Sequence, residues 1–165
     1  MTFRSSTAAA AVSALFLTMG ALPADAQSGR FEGGGTLSNF TAPCLGGGWS
    51  GRPQTYVVRY HPANIAWNTD GDTLTFLNDH HGFSVERAGG SFSYAWQPVR
   101  HAFIGGPISF RDQDNHEAAE IRLISMWPSN IDETTEGTIR IRGQIRHLGH
   151  LRWCRVDFDI LVQQS

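Results

Sequence analysis

Apolar and polar residues alternate along much of the chain, which is the period of half-buried β-strands. Strands are predicted at residues 36–42, 54–61, 72–77, 82–88, 91–97 and 118–127, each bounded by glycine, proline or polar turn residues. Residues 28–35 are predicted as an irregular, glycine-rich lead-in. No stretch of the sequence sustains a helical period, so the pattern predicts an all-β protein.

Residues 72–97 are predicted to form a three-stranded meander, because a four-residue loop and the pair Gly89-Gly90 interrupt the alternating pattern. Each loop fixes the register of one hairpin. Both registers bring the same side chains to one face, as a half-buried antiparallel sheet requires. The residues predicted on this face are Leu74, Phe76, Phe83, Val85, Tyr94 and Trp96.

Residues 137–162 read as two long strands joined by a turn at Leu148 and Gly149. This register places Arg140 opposite Asp157 on the outer face, a favourable cross-strand charge pair. A longer connection would shift the register. The inner face forms one predicted wall of the core and comprises Ile139, Ile141, Val156, Phe158 and Ile160. The whole pattern predicts about eight antiparallel strands in either a β-sandwich or a small β-barrel, two folds that share the same alternation.

The first 26 residues have the features of a secretory signal peptide in the usual order. A basic residue, Arg4, precedes a short apolar run, and the sequence Ala24-Asp25-Ala26 matches the small-residue cleavage site. Cleavage there leaves residues 27–165 as a single domain. No stretch approaches the roughly twenty apolar residues of a transmembrane helix. We therefore expect an exported protein, periplasmic or secreted, and the use of arginine without lysine favours a bacterial source.

The chain has two cysteines, Cys44 and Cys154, and both lie in the expected mature domain. In the oxidising compartments that exported proteins reach, two cysteines usually pair. We predict a disulfide that ties the N-terminal part of the domain to its last strand, with two buried free thiols as the alternative. In the chain-entropy model, closing so long a loop contributes about 4–5 kcal/mol.

Charge and motifs favour a protein without catalytic chemistry. The formal net charge of −2 argues against a dedicated nucleic-acid binder. Ser50 lies in a glycine-rich stretch that lacks the pattern of a nucleophile elbow, and the absence of lysine excludes a phosphate-loop motif. Asp157 and Asp159 fit an ion-pair ladder with neighbouring arginines better than an acid–base pair. No cofactor is predicted.

Seven histidines suggest a metal-dependent enzyme as one alternative. His147 and His150 flank the predicted turn and would be cross-strand neighbours. No histidine falls in a recognised zinc spacing, and the loop carrying Asp112, Asp114 and His116 lacks the glycine and glutamate of a calcium-binding EF-hand loop. The sequence therefore predicts no metal site.

The leading hypothesis is a non-catalytic binding or structural protein of the cell envelope. A basic face is the candidate site for an anionic glycan or a lipid headgroup, and its residues are Arg140, Arg142, Arg146, Trp153 and Arg155. The second hypothesis is a small-ligand carrier. In that case the lumen of a closed barrel would be lined by Phe76, Phe83, Tyr94 and Trp96.

Overall fold

The computed structural model describes residues 30–63, 71–103, 119–131 and 135–165. These residues form one antiparallel sheet of nine strands, a short helix and a 3₁₀ turn. The strands are β1 (Phe31–Ser38), β2 (Gln54–His61), β3 (Thr73–Leu77), β4 (Gly82–Glu86), β5 (Gln97–Pro98), β6 (Arg100–Phe103), β7 (Glu120–Trp127), β8 (Thr138–Arg146) and β9 (Arg155–Gln164). The helix is α1 (Ala42–Gly46), and the 3₁₀ turn covers Leu148–His150. The predicted signal peptide lies outside the described residues.

The sheet curls into a nearly closed barrel. Its strand order is β5-β7-β8-β9-β1-β2-β3-β4-β6, so its two edge strands follow each other in the chain. Only Val99 separates β5 from β6, and its amide donates a hydrogen bond to the carbonyl of Ala119 (2.9 Å). One stretch of chain thus pairs with β7 through its first part and with β4 through its second. The all-β prediction is confirmed, and the barrel is the correct alternative.

The described part of the chain contains no helix with the length and apolar character needed to cross a membrane. Its one α-helix, α1, has five residues.

Large apolar side chains from most strands fill the inside of the barrel. Phe76 and Phe83 stack with their ring centroids 4.8 Å apart. Tyr56 packs edge-on against both rings, and Phe158 packs edge-on against Phe76. All five residues predicted on the inner wall of the C-terminal strands are buried: Ile139, Ile141, Val156, Phe158 and Ile160.

The glycine-rich lead-in predicted at residues 28–35 is wrong, because most of it belongs to β1. Phe31 and Leu37 anchor this strand in the core. A Cβ at Gly35 would lie only 2.8 Å from Cγ2 of Val58. Glycine at this position therefore lets β1 pack closely on its neighbours, a use of strand glycines that the alternation of side chains does not reveal.

The predicted meander is correct in its first hairpin and wrong in its second. β3 pairs with β4 as expected, with Phe76 opposite Phe83. The partner of β4 on its other side is β6 rather than residues 91–97. Asp72 explains the difference, because its buried carboxylate accepts the amide hydrogen of Phe92 (2.6 Å) and draws that segment across the end of the barrel.

The C-terminal hairpin has the predicted strands but a different register. Ile141 faces Ile160 rather than Val156, so the pairing is displaced by four residues along β9. Arg140 consequently faces Leu161 instead of Asp157. The turn predicted at Leu148 and Gly149 is replaced by a connection from residue 147 to residue 154. Since the displacement is an even number of residues, every side chain keeps its predicted face.

The predicted disulfide joins Cys44 in α1 to Cys154 at the end of that connection. Around it, the amide of Thr41 donates to the carbonyl of Arg155 (3.0 Å), and the Thr41 hydroxyl accepts the amide hydrogen of Arg155 (2.9 Å). The disulfide and these hydrogen bonds hold the connection against the end of the barrel.

Candidate ligand face

The predicted basic residues lie on the outer surface of β7, β8 and β9 and on the connection that follows β8. Arg140, Arg142 and Arg146 occupy outward positions of β8, which alternate with buried isoleucines. Arg155 points outward at the start of β9. Trp153, 62% exposed, lies in the connection between them. The structure therefore places the five predicted residues on one side of the barrel.

Two residues that sequence reasoning missed complete this surface. Two guanidinium groups lie over the ring of Trp96, with Cζ of Arg122 at 4.8 Å and Cζ of Arg146 at 4.6 Å from the ring centroid. Cation–π contacts of this kind hold the three side chains together. Trp96 was predicted to line the lumen, whereas its contacts place it outside. Arg122 could have been found from sequence, since it occupies an outward position of a predicted strand.

Neighbouring polar groups fix the orientation of Arg122. Its Nε and Nη2 donate to Oε1 of Gln144 (2.9 and 2.6 Å). Gln144 donates in turn to Oδ1 of Asp157 (2.7 Å), whose Oδ2 accepts from Asn39 (2.8 Å). This chain of hydrogen bonds crosses β7, β8 and β9 and holds the guanidinium in one position.

Ion pairs hold the other arginines of β8. Arg140 donates to both carboxylate oxygens of Asp159 (3.0 and 2.7 Å), and Nε of Arg142 lies 3.6 Å from Oδ2. The hydrogen bonds from Arg140 lower the pKa of Asp159. Arg146 pairs with Glu120, and its hydrogen bond lowers the pKa of that carboxyl group. Both carboxylates therefore stay ionised near neutral pH.

The exposed end of the face is built by the disulfide-linked connection. Trp153 has a left-handed backbone conformation (φ 65°), and its amide donates to Nδ1 of His147 (3.3 Å). Cζ of Arg152 lies 5.5 Å from the Trp153 ring. Within the described chain, Arg155 forms no ion pair.

Arginines outnumber carboxylates on this surface, although the chain as a whole carries a net charge of −2. We call it the ligand face. The ligand face comprises Trp96, Glu120, Arg122, Arg140, Arg142, Arg146, Arg152, Trp153, Arg155, Asp157 and Asp159.

The described residues include no group of three or more histidine, cysteine or acidic side chains that could hold a metal ion. The predicted turn between His147 and His150 is wrong, because the backbone of Leu148–His150 forms the 3₁₀ turn and the amide of His147 donates to the carbonyl of Cys154 (2.7 Å). The predicted loop of Asp112, Asp114 and His116 lies outside the described residues.

His81 belongs to a polar cluster at the same end of the barrel as the disulfide. Its Nε2 lies 2.8 Å from the hydroxyl of Tyr56, which donates to Oε1 of Gln54 (2.6 Å). The ring of Trp49 packs edge-on against the imidazole at 5.2 Å. Burial lowers the pKa of His81, and the neighbouring His80 adds to this effect. The neutral imidazole thus acts as a packed hydrogen-bonding group.

Only two of the four aromatic residues predicted to line a lumen lie inside the barrel. Phe76 and Phe83 are buried against each other, whereas Tyr94 is 60% exposed. A cavity of about 290 Å³ lies near the opposite end of the barrel. Its lining includes Tyr60, Asp72, Phe92, Met126 and Ile131.

A second depression, of about 690 Å³, lies on the outside of the barrel between β8 and β2. Its floor is β1 at Gly34 and Thr36, and its walls include Leu161 and the Arg140–Asp159 pair.

A scan against protein-family models, a search of curated proteins and a search of solved structures each find no match for this chain.

Proposed function

We propose that this chain is an exported, non-catalytic binding protein that recognises anionic glycans through the ligand face. The observation that carries the proposal is the ordered array of arginines around Trp96 and beside Trp153. A cluster of arginines on a chain of net charge −2 produces a local positive field, which attracts a polyanion to this side of the barrel.

The side chains match the chemistry of acidic sugars. A guanidinium offers paired N–H donors to a carboxylate or sulfate, and arginine does this better than lysine because its donors are planar. The exposed indole of Trp153 offers an apolar surface for the C–H face of a sugar ring. The exposed side chains of the face extend over β8, β9 and the connection between them, which suits an extended polymer better than an enclosed small molecule.

The arrangement of the arginines lowers the cost of binding. Arg122 is held by Gln144 and by the Trp96 ring, so its side chain is ordered before a ligand arrives. Ordering a long side chain during association otherwise costs about 0.5–1.5 kcal/mol. Arg155 has no acidic partner within the described chain and is free to bind an anion.

Export is consistent with this role and rests on the predicted signal peptide together with the disulfide. A disulfide between Cys44 and Cys154 favours an oxidising compartment such as the periplasm or the extracellular space. Envelope and extracellular polysaccharides that carry carboxylates or sulfates are found in those compartments.

The proposal is tested by affinity electrophoresis of residues 27–165 through gels that contain polygalacturonate, dextran sulfate or neutral dextran. We expect the two polyanions to retard the protein, with less retardation as salt increases. Arg155→Ala and Trp153→Ser should each weaken retardation, by about two- to five-fold for the arginine. Arg59→Ala is the matched control, since Arg59 is exposed and pairs with Glu32 on another part of the barrel.

Equal mobility in all three gels would refute glycan binding. If Arg155→Ala and Arg59→Ala reduced retardation by the polyanions equally, only the overall charge of the protein would matter. Retention on anionic vesicles without retention by either polyanion would assign the face to lipid headgroups.

The cavity at the far end of the barrel supports carriage of a small ligand with both apolar and polar groups as a second candidate function, because Phe92, Met126 and Ile131 line it together with Asp72, Ser91, Ser129 and Asn130. Its volume of about 290 Å³ is at the lower end for ligand pockets. Met126→Trp should fill the cavity and abolish the increase in fluorescence that an environment-sensitive amphipathic dye shows when it binds there. Unchanged dye binding in that variant would exclude the cavity as the binding site.

A further inference from the structure

An apolar row crosses the outer surface of the barrel beside the ligand face. Strand pairing aligns one outward residue from each of six adjacent strands. In order across β7, β8, β9, β1, β2 and β3, the apolar row comprises Trp127, Arg140, Leu161, Gly34, Val57 and Leu77, of which only Arg140 is charged, and it is paired with Asp159. Trp127 is 71% exposed, Val57 57% and Leu161 55%. Exposed apolar residues that lie together, unlike isolated ones, usually mark an interaction surface.

Polar rows border the apolar row on both sides. Toward one end of the barrel it is followed by Gln163, Glu32 and Arg59, where Glu32 and Arg59 form an ion pair at 3.0 Å. Toward the other end it is followed by Asp159 and Thr36. An apolar centre with a polar rim is the usual composition of a protein–protein interface.

Among the described residues, no packing contact requires a glycine at position 34. A Cβ at Gly35 would meet side chains of the core, whereas a Cβ at Gly34 would meet nothing closer than the carbonyl oxygen of Tyr56, at 3.9 Å. A glycine inside a strand costs about 0.5–1 kcal/mol relative to alanine. Such a glycine often marks a place where another molecule approaches the backbone closely. Gly34 forms part of the floor of the outer depression of about 690 Å³.

We propose that a second copy of this chain occupies this surface and forms a two-fold symmetric dimer. Leu161 projects from β9 directly beside the bare position of Gly34 on β1. A two-fold axis parallel to these strands and between them sets each Leu161 over the Gly34 of the other copy. One surface thus supplies both the projecting side chain and the space that receives it, as an isologous interface requires.

The polar rim is also complementary to itself under this symmetry. The axis exchanges the outward positions of β1 and β9, so Thr36 faces Asp159 and Glu32 faces Gln163 across the interface. A hydroxyl and an amide each meet a carboxylate that can accept a hydrogen bond. Further from the axis, the same symmetry exchanges β2 with β8. Arg59 of one copy then lies over Thr138 of the other, and Arg142 lies over Thr55. These arginines therefore meet no like charge.

The first test is sedimentation velocity of residues 27–165 over a range of concentrations. We expect a monomer–dimer equilibrium that Gly34→Val and Leu161→Ser each weaken at least ten-fold. Gly46→Ala and Leu45→Ser are matched controls, because a Cβ at Gly46 meets nothing within 4 Å and Leu45, like Leu161, is exposed. Both controls should dimerise like the unaltered chain. Circular dichroism confirms that each variant is folded.

The second test is disulfide trapping in a mixture of two single variants, Gly34→Cys and Leu161→Cys. The symmetry predicts that a disulfide between one Gly34→Cys chain and one Leu161→Cys chain forms faster than a disulfide between two copies of the same variant. A monomer at every concentration, or a dimer that Gly34→Val leaves intact, would overturn the proposal. Loss of polyanion binding in Gly34→Val without any dimer would instead assign the depression to the ligand face.

Discussion

Leu161 and Gly34 are paired across β9 and β1, so an exposed leucine lies directly beside a position that has no side chain. The pair lies at the centre of the apolar row. Beside Leu161, on β8, lies Arg140, which belongs to the ligand face, and other ligand-face residues lie on β7 and β8. The outer surface of the barrel therefore has two differently built regions, which overlap at Arg140, Arg142 and Asp159. One is rich in arginine and suits a polyanion, and the other is apolar and complementary to itself.

Adjacent glycines of β1 should respond in opposite directions to the same substitution. At concentrations where the chain is monomeric, we expect Gly34→Ala to raise the free energy of unfolding by about 0.5–1 kcal/mol. Gly35→Ala should lower it by about 1–3 kcal/mol, because the new Cβ would crowd Val58 and Ile160. Urea denaturation measures both values. A destabilised Gly34→Ala monomer would show that this outward position is packed within the chain.

Removing the disulfide should destabilise the domain without changing its strands. Cys44 and Cys154 are separated by 110 residues, so the double variant Cys44→Ser/Cys154→Ser should lose about 4–5 kcal/mol of unfolding free energy. Guanidinium denaturation of oxidised and variant protein gives the difference. Two titratable thiols in the purified, non-reduced protein would contradict the pairing itself.

His81 should make the domain less stable in mild acid. Its pKa in the folded protein is lowered from 6.5, so folding favours the neutral imidazole. Below pH 6.5 the unfolded chain binds a proton at this histidine more readily than the folded chain does, so the free energy of unfolding falls with pH. Above pH 6.5 both states hold the neutral imidazole, and the full stability is present. His81→Gln removes the titration and keeps a partner for Tyr56. We expect the unfolding free energies of the two proteins to change differently between pH 7.5 and pH 5, whereas parallel curves would exclude this role.

The sequence was sufficient to predict the strands wherever alternation and turn residues agree. The loop between β3 and β4 is short and fixes the opposition of Phe76 and Phe83, which is confirmed. The pair Gly89-Gly90 looks equally decisive, yet no hairpin follows it. The competing interaction is the hydrogen bond from Phe92 to Asp72, two residues far apart in the chain. Local turn rules cannot weigh such a contact.

The C-terminal register shows a second kind of limit. The sequence predicts the disulfide correctly, but it does not show that residues 147–154 leave the ladder so that Cys154 can reach Cys44. The inward residues are nevertheless predicted correctly, because a displacement by four residues preserves the side-chain alternation. Burial was therefore easier to predict than pairing.

The ligand face was predicted only in part for the same reason. Alternation identifies Arg140, Arg142 and Arg146 as outward residues, and this is confirmed. The contact of Trp96 with two arginines depends on how the chain crosses from β4 to β7, which no local pattern encodes. The alignment of Gly34 with Leu161 likewise depends on pairing between the first and last strands.

Binding at the ligand face is tested most directly by the indole N–H signals in heteronuclear NMR spectra of residues 27–165, during titration with a sulfated oligosaccharide. We expect the signals of Trp96 and Trp153 to move in proportion to bound ligand. The signal of Trp49, buried inside the barrel, should stay in place. Movement of the Trp49 signal alone, or of no indole signal at saturating oligosaccharide, would contradict the account.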